Sequence, residues 1–143
     1  MKHLTWTTVD KSAWPRGPWD QEPDKEQWVD PETGLPCLIV RGPLGALCGY
    51  VGVPEGHPAT EKTEDLEVHG GVTYGPSPCS GGDICHIPDE GEPDHVFWIG
   101  FDCSHRWDFA PGFFYAWGGE YRDIAYVKNQ CALLARQIKD LLP

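Results

Sequence analysis

Seventeen glycines and fourteen prolines punctuate this chain of 143 residues, and their placement limits its fold more than any other feature. Together they make up about 22% of the sequence, against roughly 12% in average usage. Neither residue occurs between Gly119 and the terminal Pro143. Helices of ordinary length do not fit among the earlier breakers, whereas the last stretch is free of them. The chain is therefore expected to be rich in loops and short strands first and helical last.

Before Gly119, Cys37-Leu38-Ile39-Val40-Arg41 and Leu47-Cys48-Gly49-Tyr50-Val51-Gly52-Val53 flank a Gly/Pro turn and predict a β-hairpin. Leu4–Val9, Leu66–His69 and Val96–Phe101 are three further strand candidates, and residues 75–95 form a long loop rich in Cys, Pro and Gly. A loop of that length in a compact domain is usually functional or locally stapled. Residues 1–35 read as an irregular arm anchored by tryptophans, and residues 36–118 as a β-rich core. In the segment 119–143, Tyr121, Ile124, Ala125, Val127, Cys131, Leu134, Ile138 and Leu141 recur at three- and four-residue steps. That stripe predicts one amphipathic helix from about Arg122 to Leu142, packed on the sheet. The expected class is α+β: one domain over 1–143, with a small antiparallel sheet, long loops and one C-terminal helix.

The formal net charge of −11 argues against a general nucleic-acid binder, whose affinity comes from cations on phosphates. No apolar run reaches the roughly 18–20 residues needed to span a bilayer. The first residues carry no signal-peptide stretch, so a soluble, cytoplasmic protein without a membrane partner is expected. Without a secretory signal, the six cysteines are expected to be reduced.

Candidate chemistry concentrates in three places. In Trp98–Asp108, a strand delivers Asp102, Cys103, His105, Arg106 and Asp108 at its end. There Cys103 is a candidate nucleophile beside His105, or His105 and Asp108 are a base and its orienter acting on water. Cys85-His86 with Cys103 and His105 could hold zinc, although the spacing is poor for a structural finger; the alternative is cysteines buried as small hydrophobes. In His69-Gly70-Gly71-Val72-Thr73-Tyr74, two glycines let the backbone approach a phosphate or carbonyl, flanked by His69 and Tyr74; the bland alternative is a sharp turn. In Trp19–Trp28, aromatic faces near Lys25 suit a planar anionic ligand, with Arg16, Arg41 or Arg106 as further cations; a solvated turn is the alternative.

These motifs carry a likeness. The runs Trp19-Asp20-x-Glu22-Pro23-Asp24-Lys25, Cys48-Gly49-Tyr50-Val51-Gly52-Val53-Pro54-x-Gly56-His57-Pro58, Val68-His69-Gly70-Gly71-Val72-Thr73-Tyr74, Ile84-Cys85-His86, Gly100-Phe101-Asp102-Cys103-x-His105-x-x-Asp108 and Tyr121-Arg122-Asp123 span nearly the whole chain. The pattern resembles a widespread family of small phage, prophage and bacterial proteins with no assigned reaction. The resemblance implies a compact phage-type protein in the host cytoplasm, with His57, His69, Cys103, His105 and Asp108 intact. By analogy with phage accessory proteins of this size, it implies a role against host defence. The leading expectation is a sponge that binds a small nucleotide-derived immune signal through His69, Gly70, Gly71, Tyr74, Trp19, Lys25, His57, Asp102 and Arg106. The alternatives are a hydrolase of a cyclic nucleotide or related phosphodiester using His105, Asp108 and Cys103, and an acidic inhibitor of a host protein. A homodimer or higher homo-oligomer is expected, through the Trp-rich surface.

Overall fold

The computed structural model describes residues 1–79, 82–93, 95–113 and 119–141. It has an α+β fold whose sheet is antiparallel throughout, with strand order β1-β2-β3-β4-β6-β5. The strands are β1 (Leu4–Trp6), β2 (Lys25–Val29), β3 (Pro36–Arg41), β4 (Leu47–Pro54), β5 (Tyr74–Pro78) and β6 (Val96–Asp102), and one helix follows, α1 (Ile124–Asp140). The expected hairpin is β3–β4, in register at Ile39↔Gly49. The predicted strand at Val96 is β6, which pairs with β4 along its whole length.

The period-two pattern of the central strands sends alternate residues to two cores. Cys37, Ile39, Leu47, Val51, Val53, Ile99 and Phe101 face α1, which buries Val127, Cys131, Leu134, Ala135 and Ile138 against them. Leu38, Tyr50, Val96 and Trp98 form the second cluster on the opposite face. Asp123 caps α1 by accepting a hydrogen bond from the Tyr126 N–H at 2.8 Å, so the helix starts two residues later than the periodicity indicated. Leu142, its expected last residue, lies outside the described residues.

Gly49 lets α1 sit close to the sheet: a Cβ there would lie 2.5 Å from Phe101 Cζ and 2.9 Å from Cys131 Sγ. Both neighbours are fully or almost fully buried and have little room to retreat. Gly49→Ala is expected to lower unfolding stability by about 1–3 kcal/mol, the usual range for overpacking. A shifted denaturant midpoint with an unchanged slope would show it.

Several expectations about the first 100 residues need correction. The expected loop 75–95 starts as a strand, because Tyr74–Pro78 is β5 and pairs with β6. The expected first strand is β1, but the rest of the arm is not all irregular, because β2 joins the sheet and pairs with β1 at Trp6↔Lys25. The cysteines are not all reduced, because Cys79 and Cys85 form a disulfide within the long loop, while Cys37, Cys48, Cys103 and Cys131 are free. This loop lies over the second core. The buried Gln27 side chain exchanges hydrogen bonds with the backbone of Ile87 at 2.8 and 3.1 Å, and Ile84 packs on the cluster. Among the described residues, no helix is long and apolar enough to cross a membrane.

Candidate functional site

Leu66–His69, expected as a strand, is not one. Its backbone is taken up by glutamine side chains of α1: Gln137 accepts from the Glu67 N–H and donates to the Glu67 carbonyl, both at 2.7 Å. Gln130 accepts from the His69 N–H at 2.9 Å. The segment therefore lies along the helix, with His69 beside it. Gly70 then turns the chain with φ +69°, and a Cβ there would sit 2.1 Å from the His105 ring. Glycine at this position is what lets the imidazole of His105 rest against the backbone.

His105 arrives from the other side, in the turn after β6. Asp108 closes that turn by accepting from the His105 backbone N–H at 3.0 Å. The Asp108 side chain is fully buried, and Oδ2 also lies 2.9 Å from His69 Nε2 and 3.0 Å from His105 Nδ1. Its second oxygen, Oδ1, accepts from Arg122 Nε at 2.9 Å. Burial pulls this carboxyl upward, but hydrogen bonds from His69, Arg122 and His105 outweigh it and hold the group below its usual range.

The outer parts of the cluster are held as well. His69 Nδ1 is 2.7 Å from the Tyr126 hydroxyl, and the Arg122 guanidinium lies 5.0 Å from the centre of the Tyr126 ring. Trp107, 53% exposed, stacks parallel on His105 at 4.9 Å. With both imidazoles neutral, each donates one ring N–H to Asp108, and Tyr126 donates to His69 Nδ1. His105 Nε2 then keeps its lone pair and has no hydrogen-bond partner among the described residues. His105 and Asp108 also line a cavity of about 240 Å³, with Leu44, Ser104, Phe109, Ala110 and Phe113. The arrangement can take up a proton at His105 Nε2 or gather three donors around a cation.

The structure thus brings together His69, Gly70, His105 and Asp108 from the expected set, with Gly71 next in the turn, and scatters the rest. Cys103 is buried in the helix-side core, where desolvation pushes its thiol far above the usual range and disfavours the thiolate that a nucleophile needs. Asp102 accepts from the Thr73 hydroxyl at 2.8 Å and joins neighbouring loops. Tyr74 packs edge-on against Tyr50 in the second core. Trp19 is 5% exposed, wedged between Phe109 and Tyr121, and offers no ligand face. Lys25, on β2, lies over the Trp6 ring rather than over Trp19. His57 is buried and caps a 3₁₀ turn by accepting from the Ala59 N–H at 3.0 Å. Arg41 is buried in an ion-pair network, and Arg106 is exposed beside His105.

The expected zinc set falls apart, because Cys85 is in the disulfide, His86 packs on Trp98 of the second core and Cys103 is on the helix side. Arg122 and Trp107 were missed as site residues. Spacing gave no signal for Arg122, which precedes the Asp123 cap and reaches the site from outside the helix. Among the described residues, His69, His105 and Asp108 are the group whose donor atoms lie mutually within 4.8 Å. No family model, curated protein or solved structure matches the chain.

Proposed function

We propose that the chain hydrolyses a small nucleotide-derived phosphodiester at the His69–His105–Asp108 site, and that in a phage setting this removes a host immune signal. The observation that supports this reading is the convergence of two imidazoles on one fully buried carboxylate oxygen, at the edge of a cavity. Two imidazoles beside a carboxylate are the groups that acid–base chemistry on water needs. Water oxygen forms the new P–O bond, the bond to the leaving sugar oxygen breaks, the water gives up a proton and the leaving oxygen gains one. Arg122 and the exposed Arg106 supply positive charge near the site on an otherwise acidic protein. The resemblance to phage proteins supports the substrate class, and the paired imidazoles and carboxylate support the reaction type.

Capture without turnover has weaker support, because Trp19 and Tyr74, the aromatics expected to line a binding pocket, pack inside the protein. The test is incubation with a mixed panel of cyclic dinucleotides and cyclic ADP-ribose isomers, followed by mass spectrometry before and after heat denaturation. Hydrolysis predicts a product heavier by one water. A compound that vanishes and returns intact on heating would replace hydrolysis with capture, and a panel left free and unchanged would overturn both.

A further inference from the structure

We infer that His69 Nε2, His105 Nδ1 and Asp108 Oδ2 hold a divalent metal ion of the zinc type. The inference deepens the proposed hydrolysis and rests on the same cluster being the functional site. The three donors come from two loops far apart in the chain, yet Asp108 Oδ2 lies 2.9 and 3.0 Å from the two ring nitrogens. Zinc–nitrogen and zinc–oxygen bonds of about 2.0–2.2 Å at tetrahedral angles separate donors by roughly 3.3–3.5 Å. A shift of a few tenths of an ångström brings these two edges to that separation, and the third, between the two ring nitrogens, is within 4.8 Å.

The surrounding contacts are those a metal site needs. A ligating histidine is usually oriented through its other ring nitrogen and a ligating carboxylate through its other oxygen. Here His69 Nδ1 meets the Tyr126 hydroxyl at 2.7 Å, and Asp108 Oδ1 accepts from Arg122 Nε at 2.9 Å. The His105 ring is fixed by its stack on Trp107. Two imidazoles and one carboxylate are borderline ligands suited to zinc and its first-row neighbours rather than to magnesium or calcium. Three protein donors leave a coordination position for water, the pattern of catalytic rather than structural zinc.

In this arrangement the ion replaces the ring protons that otherwise point at Asp108 Oδ2. Metal-bound water loses a proton to solvent near neutral pH. The hydroxide oxygen forms the bond to phosphorus, the leaving sugar oxygen departs and takes a proton from solvent, and no oxidant or reductant is involved. His105, bonded through Nδ1, carries its proton on Nε2 and is not the base.

The test starts from full-length protein stripped with a chelator and dialysed, then titrated with Zn²⁺ against a chromophoric competitor and, separately, with Co²⁺ followed by visible absorption. One equivalent per chain and the absorption of a four- or five-coordinate cobalt are expected. Affinity should fall by at least about tenfold in His69→Gln and by about tenfold in Tyr126→Phe, which removes only the orienting hydroxyl. It should be unchanged in His95→Gln, an exposed histidine paired with Glu55. Absence of uptake, or uptake indifferent to both His69→Gln and Tyr126→Phe, overturns the inference. Hydrolysis by the stripped protein overturns the metal as activator while leaving the proposed reaction standing. Stoichiometric binding without turnover of any panel member does the reverse.

Discussion

Arg41→Met is expected to lower unfolding stability by about 3 kcal/mol, at the lower end for breaking a buried ion pair, and the melting temperature by roughly 10 °C. The Arg41 side chain is fully buried and donates to Asp24 at 2.7 Å, to the Gly45 and Pro23 carbonyls and to the Tyr121 hydroxyl. Tyr121 in turn donates to Glu22, whose other oxygen accepts from the Ile124 N–H at the start of α1. One guanidinium thus ties the segment before β2, the β3–β4 turn and the approach to the helix. Methionine fills much of the volume but supplies none of the donors. The loss is moderated because Asp24 keeps Lys11 at 2.7 Å and the N–H groups of Thr8 and Val9.

The effect has a pH signature. Burial raises the Asp24 carboxyl, but Lys11, the Val9 N–H, Arg41 and the Thr8 N–H together hold it below its usual range. A depressed carboxylate stabilises the fold above its unfolded pKa, near 3.9, and that contribution is lost as the pH falls from there through the folded value. Without Arg41 the depression is smaller, so the difference between variant and wild type should be full at pH 7 and narrow on acidification below pH 4. Parallel denaturation curves at pH 7 and pH 3 measure it; an equal difference at both would sink the account. Hydrogen exchange should also show faster opening of β1, which is joined to the network where the Asp24 N–H donates to the Trp6 carbonyl.

The parts of the fold legible in the sequence are those whose partners are near in the chain or whose periodicity spans many residues. The β3–β4 hairpin, β6 and α1 are of this kind. The second strand was not legible: Lys25-Glu26-Gln27-Trp28 reads as a charged turn because what buries it is remote. Glu26 meets Lys128 of α1 and Gln27 meets Ile87 in the stapled loop. Leu66–His69 alternates like a strand, yet the helix glutamines outcompeted a neighbouring strand for its backbone. At the site, the His105–Asp108 pairing was legible because a spacing of three closes a turn. His69 was linked to its sequence neighbour Tyr74 rather than to Asp108, 39 positions away, because spacing says nothing about which loops meet. Trp19 and Lys25 mimicked a ligand platform in composition, but Trp19 filled a core and Lys25 a strand.

Equally large losses of activity are expected at Asp108 and His105, and comparing the two separates pinning from chemistry. Asp108→Asn keeps the shape but turns one carboxylate oxygen into an N–H₂ group, which faces a donor whichever way the amide lies. Arg122 on one side and two imidazoles with a backbone N–H on the other cannot all be satisfied. The side chain has no access to water to make good the loss. A cost of about 2–4 kcal/mol in stability is expected, together with loss of turnover by at least about a hundredfold. His105→Gln removes one hydrogen bond from a side chain that is 19% exposed, and Asp108 keeps its other donors. Its stability cost should stay near 1 kcal/mol, yet turnover should fall as far as in Asp108→Asn, because the imidazole that pairs with Asp108 and borders the cavity is gone. Melting curves and product formation on the same preparations give the comparison. If His105→Gln melts like the wild type and also turns over like it, the cluster is a fastener between two loops and the helix, and the chemistry lies elsewhere.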